Sequence, residues 1–544
     1  MMSFTARQNE IVLKIATAAQ QQPVLSSGLW FHHDIRDNFY YASYLFAAAV
    51  DQPEQLSFYA KSAKETAAAV LLEVLALQDQ DSNSATYGHW PLNLGTSPRE
   101  AAPNVLPVEL MGSLMAFFSS RYSSHFGSKL QQAFDSALEH VYRCGFYRQN
   151  NVFGHHDAKY TAAKLIFGER YEDAALTEDG RSNLGLTLAH IRKQGMSEYN
   201  SLPWFWHWVQ AFTCAWHLIK DQAIKQELAG MLDFLWDERA AFYLKGAFVG
   251  AHCRAQKHDI PLDGNVLHDY VQFGDFELPA QLPRTEYAGF LFYEAPEVVR
   301  KRAINRSEPA EVKKVITKQT GEETHKLHSY AYITEEFAAG GMWERYAEFD
   351  NEQHRWDISL PVGRQEGVNQ AYFFHPSDRN GNEDPRHQTG NAEVLFYKNT
   401  IAALYAIPEG TENRIIGILP HIEWMQEPGM LLGQTNQVYW SVYAMQPCAL
   451  ERLSDRYVVT SEGTHNGVII EAISCSDAKR IGLPSFEAFA AEARRNTPTW
   501  LSGGNLSVRY VTCDGTKLEL TVDSQGISDK RINGSAVDFS EYTL

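Results

Sequence analysis

The strongest constraint on the fold is a change of hydrophobic period near the middle of the chain. Over the first 300 residues, apolar side chains recur at helical spacing in segments such as 38–50, 56–77, 105–120, 130–143, 157–168, 184–193, 203–220 and 222–236. From about Tyr330 onward they alternate or gather in short β-branched runs, at 355–360, 392–397, 437–443, 457–461, 468–473, 506–511 and 517–522. Asp514-Gly515 and Gly503-Gly504 punctuate those runs as turns, and a single late helix is expected over 485–495. Helices first and strands second give segregated α and β regions instead of βαβ units. The expected class is therefore α+β multidomain. An N-terminal (α/α) toroid of helical hairpins, either incomplete or a six-hairpin barrel, occupies 1–300 and an antiparallel β-sandwich occupies 329–544. Between them, 301–328 is charged and poorly periodic and reads as a linker.

Composition narrows the function classes. With 48 Lys and Arg against 66 Asp and Glu, the net charge of -18 repels nucleic acid and anionic membrane surfaces. An anionic substrate must then be met by a local group of cations. No window of 18 apolar residues offers a membrane span, and Arg7, Glu10 and Lys14 break the apolar stretch within 1–22, so no signal segment is expected there. Six dispersed cysteines without a CxxC pair fit a reducing compartment, and the expected location is cytoplasmic. Phosphate-binding GxGxxG and GxxxxGK[ST] loops and the GxSxG elbow of serine hydrolases are absent from the sequence.

Three stretches carry side chains suited to chemistry. In GMSEYNSLPWFWHW, 195–208, Pro203 opens a helix and leaves Glu198, Tyr199 and Asn200 on the loop at its mouth. Trp204, Trp208, Phe212 and Trp216 share one helical line that reads as a core face. Trp206 and His207 lie off that line and are candidates for stacking against a sugar. In NNVFGHHDAK, 150–159, His155 and His156 precede a helix, either as ordinary surface and capping residues or as site histidines at the positive end of the helix dipole. Adjacent histidines without HExxH spacing give no metal site, and no metal or organic cofactor is expected. In GAFVGAHCRAQKHD, 246–259, His252, Arg254, Lys257 and His258 form a cationic patch. It reads as a solvated loop or as a clamp in which Arg254 holds a carboxylate. Asp34, Arg36 and Asp37 precede the helix over 38–50, with Asp37 or Asn38 as its expected cap. His375 and His387 flank the long polar loop 376–385.

A helical half with a His-rich helix start, a tyrosine loop 43 residues later and a β-rich second half resembles the (α/α)-toroid polysaccharide lyases, namely the heparinase II/III, chondroitin AC and alginate lyase families. The resemblance implies β-elimination on a uronate-containing oligo- or polysaccharide. A tyrosine serves as base and acid, and a histidine with an Asn, Arg or His neutralises the carboxylate. The matching positions are Tyr199, His156 and Arg254 as catalytic residues, with His155, Glu198, Asn200, Trp206, His252 and His387 binding substrate. That family often has Asn directly before the histidine, where this chain has His155. The implied partner is an acidic glycan, with neither nucleic acid nor membrane, and a homodimer stays open. Two other classes remain: an inverting glycoside hydrolase pairing Glu198 with Asp34, Asp37 or Asp157, and a carbohydrate-binding protein without turnover.

Overall fold

The computed structural model describes residues 2–56, 60–149, 153–256, 259–348, 353–363, 367–377 and 388–544. Helices α1 (Phe4–Gln21), α2 (Ile35–Asp51), α3 (Ala60–Ala76), α4 (Val105–Tyr122), α5 (Ser128–Cys144), α6 (His155–Arg170), α7 (Ala174–Gln194), α8 (Leu202–Leu218) and α9 (Gln222–Ala241) are followed by the shorter α10 (Leu267–Gln272) and α11 (Glu297–Ile304). Neighbours pack as hairpins: α1 on α2, α2 on α3, α4 on α5, α6 on α7 and α8 on α9. The even-numbered helices also touch one another, α2 to α4, α4 to α6 and α6 to α8.

Composition sets which helix goes inside. Every residue of α4 from Pro107 to Ser119 is buried, and α8 is apolar or aromatic on most sides, so both belong to an inner ring. By contrast, α5 buries a single stripe, Leu130, Phe134, Ala137, Leu138 and Val141, and presents charge elsewhere, as an outer helix should. Outer helices return the chain between inner ones, so the inner helices run the same way and their first turns gather at one end of the ring. At that end, α2 begins one turn earlier than the sequence suggests. Asp34, not Asp37 or Asn38, is the cap, accepting from the backbone of Arg36 at 2.9 Å. Asn38 is buried and ties down the entry loop through the backbone N–H groups of Trp30 (2.8 Å) and Phe31 (3.0 Å).

The strands of the β half named below pair antiparallel, and one isolated parallel bridge joins Lys314 to Thr543. An eight-stranded sheet runs spatially Cys448–Arg452, Arg456–Glu462, Arg414–Pro420, Gln370–Phe374, Trp356–Ser359, Ala338–Met342, Glu323–Ile333, Ala310–Thr320. It shares one core with a six-stranded sheet running from Ala392–Tyr397 to Trp424–Glu427. A five-stranded sheet from Thr499–Gly503 to Ser535–Ala536 packs on the second of these, where Tyr510 donates to the buried carboxyl of Glu471 at 2.5 Å. The segment 301–328 is not a linker. After α11, Ala310–Thr320 and Glu323–Ile333 pair in register from Ala310 with Ile333 to Thr320 with Glu323, turning at Gly321 with φ +62. This hairpin forms the edge of the sheet, and its charged residues fall on both faces of the edge strand, with Lys314 on Glu238 and the buried Lys318 on Glu348, so its alternation is masked by charge. Among the described residues no helix is long and apolar enough to cross a membrane.

The closing end of the ring is held by a buried ion pair. Arg239 of α9, 0% exposed, meets Asp269 of α10 through Nε at 3.1 Å and Nη2 at 2.6 Å. It also donates to the carbonyls of Phe242 (3.0 Å) and Ala247 (3.1 Å) and lies 4.2 Å above the ring of Phe248. Arg239→Met would leave the Asp269 carboxyl buried without its cation. The expected loss is roughly 3–5 kcal/mol, read from the urea midpoint, with partial recovery when Asp269→Leu is added.

Candidate active site

Around the gathered first turns, three imidazoles are each set against a glutamate, Glu109 and Glu286 buried and Glu198 half-buried. The α6 N-terminus begins at Gly154, whose backbone N–H is taken by Asp157 at 3.2 Å, and the next N–H, of His155, donates to Glu198 Oε2 at 2.7 Å. A carboxylate suits that position because the orphan N–H groups and the helix dipole both favour negative charge. Glu198 takes the ring of His155 as well, Nδ1 to Oε1 at 2.5 Å, and accepts from Trp208 Nε1 at 3.2 Å. Burial alone would raise the Glu198 carboxyl, but the bonds from His155 outweigh it and hold it at about 2. Burial pulls the His155 imidazole down to about 4. The pair is thus a carboxylate and a neutral imidazole at neutral pH.

His156 follows the same rule with a different partner. Its Nδ1 sits 2.8 Å from Oε2 of Glu109, a residue of α4 that is 1% exposed. Glu109 also receives Lys159 Nζ at 2.5 Å and the hydroxyl of Tyr160 at 2.8 Å. Those hydrogen bonds and the Lys159 charge overcome burial and hold the Glu109 carboxyl at about 2. Facing an ionised carboxylate, Nδ1 carries the proton and Nε2 is left to exchange one. The His156 side chain is 41% exposed, the most open of the three imidazoles. His207, from the second turn of α8, lies with Nε2 3.4 Å from Glu286 and 3.2 Å from Arg284, and burial pulls it down to about 3.

Cations and an aromatic plate complete the mouth. Arg36 forks onto Asp34 at 3.0 and 2.6 Å, and Arg284 onto Glu286 at 3.2 and 2.5 Å. The Arg254 guanidinium lies 4.3 Å above the half-buried ring of Trp204, a cation–π contact. Trp204 meets His155 edge-on at 5.6 Å, and His155 lies 4.1 Å from His156 and 5.5 Å from His207, centroid to centroid. Among the described residues no group of three His, Cys, Asp or Glu is placed to hold a metal ion.

The structure thus brings His155, His156, Glu198 and Arg254 to one end of the ring, and it corrects four other expectations. Tyr199 does not face the imidazoles. It is 4% exposed, and its hydroxyl donates to Glu348 at 2.8 Å and accepts from Gln353 at 2.8 Å, both from the β half. Burial and the Glu348 charge push the phenol well above its ordinary range, which opposes a role as base. Its backbone nevertheless touches the mouth, since Cys253 N donates to Tyr199 O at 3.1 Å and Arg254 is the next residue. Trp206 is 0% exposed and donates to Asn265 O at 2.5 Å, so it is core, whereas Trp204, on the line read as core, is the tryptophan that reaches the mouth. Asn200 adopts φ +49 and donates to Val249 O at 3.0 Å, a loop-shaping role. His252 is fully buried, pulled by burial to about 3, and exchanges backbone hydrogen bonds of 2.9 Å with His354 of the sandwich. His387 lies outside the described residues.

Sequence reasoning missed Glu109, Lys159, Tyr160, Arg284 and Glu286. Glu109 had a signal, a single carboxylate inside the otherwise apolar run VLPVELMGSLMAFF. The Arg284 and Glu286 pair sits in an unremarkable loop and had none.

The chain shares the fold of the Streptomyces coelicolor A3 chondroitin AC lyase solved in complex with chondroitin sulphate. The alignment covers 98% of this chain and 89% of that one, with a TM-score of 0.51 and 10% identity. A tyrosine-to-alanine mutant of the same lyase aligns over the same shares at 10% identity and a TM-score of 0.42. At this identity the likeness is one of fold. No family model and no curated protein matches the sequence.

The depressed imidazoles give the fold an acid sensitivity with a definite sign. In the unfolded chain a histidine titrates near 6.5, whereas folded His155 and His207 hold protons only near about 4 and about 3. Between those limits the unfolded state binds more protons, so stability falls as pH drops from about 6.5 through 4. Each group steepens the slope by up to roughly 1.4 kcal/mol per pH unit. Urea midpoints measured across that range should show a shallower slope in His207→Gln than in the wild type.

Proposed function

We propose that this protein is a carbohydrate-active lyase that cleaves uronate-containing oligo- or polysaccharide by β-elimination at the mouth of its helical ring. The observation that carries the reading is His156, an open imidazole whose Nδ1 is held by buried Glu109, set two ring contacts away from the Arg254–Trp204 stack. The fold shared with a chondroitin AC lyase supports it at the level of architecture.

The residues divide the reaction as follows. The hydrogen at C5 of a uronate is weakly acidic, and its removal places negative charge on the adjacent carboxylate. Arg254 neutralises that charge, as a fixed cation aimed at where charge develops. His156 Nε2 takes the proton, the C5–H electrons become the C4–C5 double bond, and the bond from C4 to the leaving oxygen breaks. The imidazolium so formed, stabilised by Glu109, returns its proton to that oxygen. Trp204 offers the flat apolar surface on which the C–H face of a pyranose rests.

An inverting hydrolase needs a carboxylic acid that holds a proton at neutral pH opposite a carboxylate base; Glu198 and Asp34 do not offer that acid, while Asp37 is raised by burial and the Asp34 charge but is engaged by His33 at 2.9 Å. Glu198 is held at about 2, and Asp34 is committed to Arg36 and to the cap of α2. The six cysteines form no disulfide, which supports a cytoplasmic enzyme acting on imported oligosaccharide.

Mixing the protein with a panel of uronate oligosaccharides should produce the ultraviolet absorbance of an unsaturated uronate. His156→Gln should lower kcat by about 100-fold or more with KM changed little, whereas Tyr199→Phe should keep most of the turnover. Saturated reducing sugar as product would overturn elimination. Turnover lost in Tyr199→Phe but kept in His156→Gln would move the proton transfer to the phenol.

A further inference from the structure

We infer that the protein binds a calcium ion, buried between the helical ring and the sandwich and held by the carboxylates of Asp259 and Asp263 and the side-chain carbonyl of Gln370. The two acids lie in the loop DIPLDG, 259–264, of the helical half, and Gln370 opens the strand Gln370–Phe374 of the eight-stranded sheet. The loop is clipped to that strand. Asp263 N donates to Asn369 Oδ1 at 2.9 Å and Asn369 Nδ2 to Asp263 Oδ2 at 3.0 Å. Gln370 Nε2 donates both to Asp259 O at 2.9 Å and to Asp263 Oδ2 at 3.2 Å.

Those bonds leave four oxygens over. Among the described residues, both carboxylate oxygens of Asp259, Oδ1 of Asp263 and Oε1 of Gln370 have no hydrogen-bond partner, although each of the three residues is no more than 1% exposed. The amide of Gln370 is fixed by the two bonds from its nitrogen, so its free oxygen lies beside the same two acids. Buried polar atoms need partners. A water would pair them without balancing two carboxylates in one dry pocket, whereas a divalent cation does both. The donors are all oxygens, a hard set. A carboxylate free to bind through both oxygens, joined by an amide carbonyl, suits calcium, which takes about six to eight oxygens in irregular geometry, better than magnesium, which demands a near-ideal octahedron. With two acids and an amide, the set also stands apart from groups of three His, Cys, Asp or Glu, none of which is placed to hold a metal among the described residues. Bound there, the ion ties the loop of the helical half to the sheet and stabilises the folded chain over the unfolded one, in which Gln370 is far from both acids.

The test is equilibrium urea unfolding of the full chain in EGTA and in calcium from about 10 μM to about 1 mM, a span that covers most protein calcium sites. The midpoint should rise with calcium, by a constant step per decade once the folded state is saturated. Magnesium at the same concentrations should leave it close to its EGTA value. Asp259→Asn and Asp263→Asn keep the side-chain shape and remove the charge. Each should abolish the calcium-dependent rise while its midpoint in EGTA stays at or above that of the wild type, since a buried carboxylate has been removed. Should a variant fail to fold, element analysis of wild-type protein refolded in calcium and then desalted decides the matter: about one calcium per chain upholds the site, and none overturns it. Absence of the calcium-dependent rise in the wild type would overturn the inference and leave these oxygens to water or a shared proton. A rise that persists in both variants, or an equal rise with magnesium, would overturn it as well.

Discussion

A carboxylate taken out of water at the end of a helix ring must find donors, and the way Glu109, Glu198 and Glu286 find them organises this molecule. Isolated, each would cost several kcal/mol or would take up a proton. Each instead gathers an imidazole together with other donors: Lys159 and Tyr160 for Glu109, the α6 backbone and Trp208 for Glu198, Arg284 and Gln210 for Glu286. The acids stay ionised and the rings are held in one orientation. Because each glutamate comes from a different part of the chain than its histidine, these bonds also lock neighbouring helices and loops to one another. Packing and site geometry therefore share the same bonds.

The ring makes that gathering feasible. Hairpins of one inner and one outer helix bring every inner N-terminus to one end, so residues far apart in sequence, such as Glu109 and His156, become neighbours without long loops. Orphan N–H groups at those termini favour the acids, and the burial of α4 on all sides keeps Glu109 from exchanging its partners for water. Sequence distance costs little here, since each helix is rigid and the chain order around the ring is fixed by its hairpins.

Much of the architecture was legible in the period of the apolar residues. The helices from α2 to α9, the helix Phe486–Arg495 and strands such as Ala392–Tyr397 lie where helical or alternating spacing places them. The hairpin Ala310–Ile333 was hidden because its edge strand carries charge on both faces, including Lys314 and Lys318 that turn inward onto Glu238 and Glu348, and charge without apolar alternation reads as a connection. At the site, the histidines at the α6 start and Arg254 were visible as residue types at a helix mouth. Trp204 and Trp206 were exchanged because a helical line tells which residues share a face, but not which face meets the core and which meets a cleft. Glu109 could be suspected from its apolar surroundings, whereas Arg284 and Glu286 acquire meaning only from the fold that brings them to His207.

The loop 198–200 joins the two halves in a way that bears on how the site is held. Glu198 turns toward the imidazoles, Tyr199 toward Glu348 and Gln353 of the sandwich, and Asn200, with φ +49, reverses the backbone between them and α8. The Tyr199 ring is packed with Cys253, Ile316 and Met342, and Lys318 both lies 5.0 Å over it and holds Glu348 at 2.5 Å. A shift of the hairpin Ala310–Ile333 would thus move the phenol, and with it the adjacent residue that orients His155. The backbone bond from Cys253 to Tyr199 carries the same displacement to Arg254. The sandwich acts as the rigid back wall against which the one loop bearing both Glu198 and Tyr199 is set. Through that loop the sandwich helps fix both the carboxylate of Glu198, which takes His155 and Trp208, and the guanidinium of Arg254 over Trp204.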